Sequence, residues 1–318
     1  MIFRHHSRFS GISFYDKVVI MGITVSLVIL DGGMGRELKR MGAPFSQPLW
    51  SAQALIEAPE YVKQAHCNFI RAGAEIITIN SYACVPFHLG AELYKQKGTK
   101  LATQAAILAK EAAHTSENQS VLIAGSLPPV MGSYRPDLFE PIIAREVTEQ
   151  LYKAQEDYCD IWIAETVASI AELKVVLSLA AQSSKPFYIA FTLSDDIYAK
   201  VPTLRSGEQL SEAIEHLRET DLSGVLFNCS IPEVIEPALH QMRTLPSHLT
   251  LGAYANSFIP IDDDHKANST FQSLRSVTAQ NYLYYAQHWY KAGARVIGGC
   301  CGIGPEHIAE IARWKEKL

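Results

Sequence analysis

The sequence predicts an α/β chain folded as a single (β/α)8 barrel of the TIM type. Short β-rich apolar runs bounded by turn residues recur eight times along the 318 residues, and stretches with apolar residues at three- and four-residue spacing separate them. Strand-helix alternation without hairpin signals means parallel strands, and eight of them close a barrel of typically about 250 residues. The length leaves loops to spare, and no linker or composition shift marks a second domain. A doubly wound open sheet is the rival, but Asp31-Gly32-Gly33-Met34-Gly35 lacks the full G-x-G-x-x-G fingerprint.

The first strand is expected at 26–30. Arg4, Arg8 and Lys17 precede an apolar run at 18–30 that has the length of a signal-peptide core. The run is shorter than the roughly 20 residues a membrane span needs. It ends in Asp31-Gly32-Gly33 with no small-residue cleavage site, as a buried strand would. Met21 stands just before the strand. Residues 1–20 therefore read as an arm of doubtful origin, or as a short ordered element plugging one end, with the barrel at 21–318. The next strands are expected at 75–80, 121–125, 161–165, 186–192, 224–228, 250–254 and 295–298. Amphipathic helices are expected at 59–72, 99–114, 146–158, 169–181, 207–218 and 277–292, and long loops at 87–100, 129–141, 194–207 and 255–277.

Composition narrows the function. A net charge of −5 with mixed signs offers no broad basic face, which argues against a nucleic-acid partner held by counterion release. No membrane partner is expected either. Six cysteines in so long a chain are too thinly spread for a secreted disulfide framework, and they point to a reducing, cytoplasmic setting. Cys67, Cys84 and Cys159 read as packing residues. His5, His6, His66, His88 and His114 show no metal-ligand spacing.

In a (β/α)8 barrel the chemistry sits where strands end. Cys229 closes the sixth predicted strand and Cys300-Cys301 the eighth, so three thiols converge on one mouth. Three thiolates suit zinc, which binds soft sulfur tetrahedrally and keeps a fourth position open at catalytic sites. Adjacent cysteines on a regular strand face opposite ways, so both reach one ion only if the backbone bends, which Gly298, Gly299 and Gly302 allow. Zinc with three thiolates carries about −1 charge, which suits holding a further thiolate better than activating water. The rival reading is a vicinal disulfide or redox pair at Cys300-Cys301.

At this point the residues resemble the homocysteine S-methyltransferase family. The resemblance rests on the segment from Asp31-Gly32-Gly33 to Leu38, on Glu165-Thr166, on Asn228-Cys229, and on Gly298-Gly299-Cys300-Cys301-Gly302 followed by Pro305-Glu306-His307-Ile308. Thr78-Ile79-Asn80-Ser81-Tyr82 stands where the family closes its second strand. The resemblance implies zinc on Cys229, Cys300 and Cys301, and homocysteine as methyl acceptor. It places Asp31 and Glu165 on the substrate ammonium, Gly32 and Gly33 where the amino acid approaches the backbone, and Tyr82 at the open metal position before substrate binds. No catalytic residue beyond the zinc site is implied, because methyl transfer needs no general base once the thiolate exists.

The donor is expected to be a small cation, met by the ring faces of Tyr82 or Tyr254. Thr166 stands where the betaine-dependent branch has an aromatic residue, so a sulfonium, S-methylmethionine or S-adenosylmethionine, is favoured. The competing function is a thiol-redox or thiol-binding protein that uses Cys300-Cys301 without methyl transfer.

Overall fold

The computed structural model describes residues 18–20, 23–115, 120–260 and 273–318. Eight parallel strands form one sheet: β1 (Val28–Ile29), β2 (Ile76–Thr78), β3 (Leu122–Leu127), β4 (Ile161–Val167), β5 (Phe187–Phe191), β6 (Gly224–Asn228), β7 (Thr250–Tyr254) and β8 (Ala294–Ile297). Each lies inside or within two residues of its predicted run. Hydrogen-bonded neighbours run β1-β8-β7-β6-β5-β4-β3-β2. The seam between β1 and β2 is bridged at Leu30 and Ile76, where Glu75 N donates to Ile29 O at 2.8 Å and Asp31 N to Ile76 O at 2.9 Å. The barrel is thereby closed.

The two-residue period of a strand divides the core in two. On β4, Ile161 and Ile163 point into the barrel and join Leu30, Tyr188, Leu226 and Val296. Trp162 and Ala164 point outward into the layer between sheet and helices. Because both faces are covered, every residue of β4 is buried. Gly125 is what lets Trp162 lie flat on β3, since a Cβ there would sit 2.4 Å from the indole ring. The Tyr152 ring stacks on Trp162 at 4.3 Å.

The helices on the outside start where sequence chemistry favours it. Pro59, Pro141 and Pro305 each occupy the first turn of a helix, where a missing N–H costs nothing. Ser169 and Thr278 accept the Glu172 and Asn281 amides as N-caps. The expected loop at 87–100 is instead helical, as Pro86–Leu89 and the first turns of Ala91–His114. Gly98 is tolerated inside that helix because the Tyr94 ring covers it, 2.5 Å from where a Cβ would sit. Helix Pro141–Gln155 begins five residues before its expected start at 146. Helices Met34–Arg40, Ser51–Glu57, Ile235–Met242 and Pro305–Lys315 fall outside the predicted amphipathic stretches.

Val18–Ile20 and Ile23–Val25 pair antiparallel in a separate two-stranded sheet. His5 and His6 lie outside the described residues. Cys84 and Cys159 are buried and Cys67 is half-buried, as packing residues would be. No described helix is long and apolar enough to cross a membrane.

Candidate active site

The sulfur atoms of Cys229, Cys300 and Cys301 all lie within 4.8 Å of one another, and they form the one such cluster of metal-ligating side chains among the described residues. The bend that unites them has a local cause. Cys229 adopts φ +48° just beyond β6, which turns its side chain off the alternation of the strand. After β8, Gly302 takes φ +86° and passes so close to Ser257 that a Cβ would meet its Oγ at 1.9 Å. Cys229 and Cys300 are joined as a disulfide with Cα atoms 5.8 Å apart, so the pairing differs from the rival reading of a vicinal Cys300-Cys301 disulfide.

Three thiolates drawn this close match the donor set of a soft divalent cation, for which metal–sulfur bonds are about 2.3 Å. The disulfide and such an ion would compete for the same sulfurs. The Cys301 thiol is free, and desolvation together with the nearby Glu165 charge pushes it up to about 11. A cation among the sulfurs would oppose that shift.

Two carboxylates share the mouth. Asp31 follows β1 and accepts from the Thr78 amide at 2.7 Å and from the Thr78 hydroxyl at 3.1 Å. Burial pushes its carboxyl up to about 8 despite these bonds, and the charge of Glu165 adds to the rise. Glu165 accepts from Ser126 Oγ at 2.6 Å and from Tyr254 OH at 3.2 Å, and burial raises it as well. Neither carboxylate caps a helix. They are two desolvated acids close enough for the charge of one to raise the other, a combination that a cationic group entering the mouth would stabilise.

Glu165 owes its aim to a break in β4. The register with β5 slips between Ala164 and Val167, and Thr166 sits at φ +58°, an uncommon conformation for a β-branched residue. Asn228 holds it there: Thr166 N donates to Asn228 Oδ1 and Asn228 Nδ2 donates to Thr166 Oγ1, both at 2.9 Å. The Tyr82 hydroxyl also reaches Thr166 Oγ1, at 3.2 Å, and pairs with Ser133 Oγ at 2.6 Å. Tyr82 thus lines the mouth with its hydroxyl engaged by Ser133 and Thr166.

Gly32 and Gly33 pack closely against the loop that carries Cys300 and Cys301. A Cβ on Gly33 would lie 2.5 Å from the Cys300 carbonyl oxygen, and one on Gly32 would lie 2.5 Å from that of Ile303. Gly33 N donates to Ile303 O at 2.8 Å, and Gly299 N to Asp31 O at 2.8 Å. These glycines admit the cysteine loop itself, so the first and last motifs of the chain interlock.

Thr78, Ser126, Tyr134, Asp195 and Arg205 join the site without being among the residues expected there. Ser126 stands just beyond a predicted strand end, and Thr78 opens the quoted segment Thr78-Ile79-Asn80-Ser81-Tyr82, which are usable signals. Tyr134, Asp195 and Arg205 lie in loops with no pattern, and only folding brings them to Cys229.

The chain is similar to known proteins along most of its length. Homocysteine S-methyltransferase YbgG of Bacillus subtilis (strain 168) is 28% identical over 315 residues, covering 93% of this chain and 96% of that protein. Homocysteine S-methyltransferase of Escherichia coli (strain K12) is 30% identical over 304 residues, covering 90% and 94%. The crystal structure of the homocysteine methyltransferase MmuM from Escherichia coli in its metallated form superimposes with a TM-score of 0.74 at 27% identity, over 91% of this chain and 96% of that one. Its oxidised form matches with the same TM-score of 0.74 at 26% identity. The family model for homocysteine S-methyltransferase matches residues 28–314, and the chain belongs to that family.

Proposed function

We propose that this protein transfers a methyl group from a sulfonium donor, S-methylmethionine or S-adenosylmethionine, to the thiol of homocysteine, giving methionine, with zinc held by Cys229, Cys300 and Cys301. The observation that carries the reading is the meeting of three cysteine sulfurs and two buried carboxylates at the ends of the strands. When bound, zinc would supply the charge that strips the proton from a further thiol and keeps its sulfur nucleophilic.

The chain's own residues do the rest. Asp31 and Glu165 take the ammonium of the amino acid, whose charge offsets the burial that raises both carboxyls. Thr78, Ser126 and Tyr254 hold those carboxylates by hydrogen bonds, so the acceptor enters a prepared site. Ring faces of Tyr82 and Tyr254 meet the cationic donor. The acceptor sulfur forms a bond to the methyl carbon as the donor carbon–sulfur bond breaks. The bonding pair stays on the donor sulfur, which leaves as a neutral thioether.

The disulfide favours one second reading, a thiol-redox protein. It would use Cys229 and Cys300 rather than the vicinal pair. A reducing, cytoplasmic setting keeps the three as thiols and suits the methyltransferase. The experiment is zinc analysis of protein purified under reductant, beside Cys301→Ala, followed by assays of homocysteine with each sulfonium. About one zinc per chain, lost in the variant, with methionine formed, is the expected result. No zinc in the reduced protein overturns the metal reading, and zinc without methionine from either donor overturns the sulfonium reading.

A further inference from the structure

Among the described residues four non-glycine residues take a positive φ, and three of them, Tyr134, Thr166 and Cys229, lie in or beside the sulfur cluster. Strain of this kind persists only where neighbours hold it. Thr166 is held by Asn228. Cys229 is held from outside its own strand. The Tyr134 hydroxyl donates to the Cys229 carbonyl oxygen at 2.9 Å, which is shorter than the 3.4 Å contact from Thr192 Oγ1 to the same oxygen.

Tyr134 is itself secured. The Arg205 guanidinium carbon lies 4.9 Å from the Tyr134 ring centroid, and Arg205 Nη2 pairs with Asp195 Oδ2 at 3.1 Å. The side chains of that pair are only 3% and 1% exposed, so the charges are held away from water. Asp195 Oδ1 accepts the Ile231 amide at 3.1 Å. Between them, Ser230 Oγ accepts the Leu193 amide at 2.8 Å. Residues 229–231 are therefore gripped at both ends by groups from two loops, with the cysteine at the end that Tyr134 holds.

We propose that Tyr134, backed by the Arg205–Asp195 pair, is a positioning residue: its hydroxyl fixes Cys229 in the left-handed backbone conformation that turns the thiol toward Cys300 and Cys301, and so sets how firmly the three thiolates retain a metal. The inference rests on the metal reading above and assigns the part that the loop after β3 plays in it. Groups that orient metal ligands from behind commonly change metal affinity by about 10- to 100-fold when removed.

The test is Tyr134→Phe, which keeps the ring against Arg205 and removes only the hydroxyl. Reduced, zinc-loaded wild type and variant are challenged with a chromogenic chelator. The zinc-free reduced forms are compared by thermal unfolding, and the cobalt-loaded forms by their sulfur-to-cobalt absorption. The expected result is zinc release about 10-fold faster and an altered cobalt spectrum, with the melting temperature of the zinc-free form unchanged. Equal zinc retention and an identical spectrum overturn the proposal, as does a loss of retention matched by a fall in zinc-free melting temperature. Wild type that holds no zinc overturns the metal reading and this inference with it. Should Tyr134→Phe not fold, Arg205→Lys keeps a charge opposite Asp195 and gives up the flat face against Tyr134. It is put through the same three measurements: faster zinc release with an unchanged zinc-free melting temperature supports the proposal, and unchanged retention overturns it.

Discussion

Asn228 and Thr166 exchange two hydrogen bonds of 2.9 Å across the top of the barrel, from β6 to β4, passing over β5 between them. One residue belongs to the Asn-Cys pair and the other to the Glu-Thr pair. The contact therefore couples the backbone beside a candidate metal ligand, Cys229, to the backbone beside a candidate substrate-binding carboxylate, Glu165.

Removing the clamp should harm both neighbours. Asn228→Ala leaves Thr166 N without its partner in a buried site, a loss of about 1–3 kcal/mol by the usual cost of an unsatisfied group. The expected outcome is a lower melting temperature, together with a rise in KM for homocysteine as Glu165 loses its aim. Unfolding curves and steady-state kinetics check it. A variant with lowered stability and unchanged KM would show that the clamp serves only the fold.

Asp31 should make stability fall with pH. Its carboxyl moves from about 3.8 to about 8 on burial, so the folded state holds the proton more tightly than the unfolded chain. Its contribution is complete below pH about 3.8 and is lost as pH rises through about 8. Asp31→Asn cannot ionise, so its melting temperature should gain on that of the parent steadily between those limits. The same variant should bind homocysteine at least about 10-fold more weakly, the loss of one charge-assisted bond. Parallel melting curves for the two proteins across this pH range would disprove the assignment.

His66 should act in the acid range. It is fully buried, neither ring nitrogen has a hydrogen-bond partner among the described residues, and burial lowers its pKa from 6.5 to about 4. The unfolded chain takes up the proton first, so stability is lost as pH falls from 6.5 toward 4. His66→Leu should unfold at lower pH than the parent, with unchanged zinc content and activity at neutral pH. Acid titration followed by circular dichroism measures the shift.

Gly33→Ala tests the interlock of the two loops. Its Cβ would lie 2.5 Å from the Cys300 carbonyl oxygen, so the cysteine loop must move. Zinc retention should fall along with stability, by about 1–3 kcal/mol for overpacking a close-packed contact. Chelator competition beside thermal unfolding reads both, and a variant with wild-type retention would show that the loop tolerates displacement.

Much of this molecule is legible along the chain because its signals are local. A buried parallel strand is a short apolar run ended by polar or glycine residues, and all eight such runs are strands. The cysteines at the ends of two of them announce the sulfur cluster, and Asp31 and Glu165 announce the acidic one. Helices are less legible. The first turns of Ala91–His114 fall in a run that reads as loop, and the short helix Ile235–Met242 carries too few turns for its period to stand out.

By itself, then, the sequence determined the barrel, the end of it that carries the chemistry, and the residue types gathered there, since each follows from periodicity and from what stands at a strand terminus. The tertiary structure alone decided how those residues are aimed. It paired Cys229 with Cys300, turned Gly32 and Gly33 toward the cysteine loop, engaged Tyr82 with Ser133 and Thr166, and brought Tyr134, Asp195 and Arg205 behind Cys229. Those relationships join residues far apart along the chain, from Tyr134 and Cys229 at 95 positions to the first and last motifs at Gly32 and Ile303, and they arise only when closing the barrel sets its strand ends side by side.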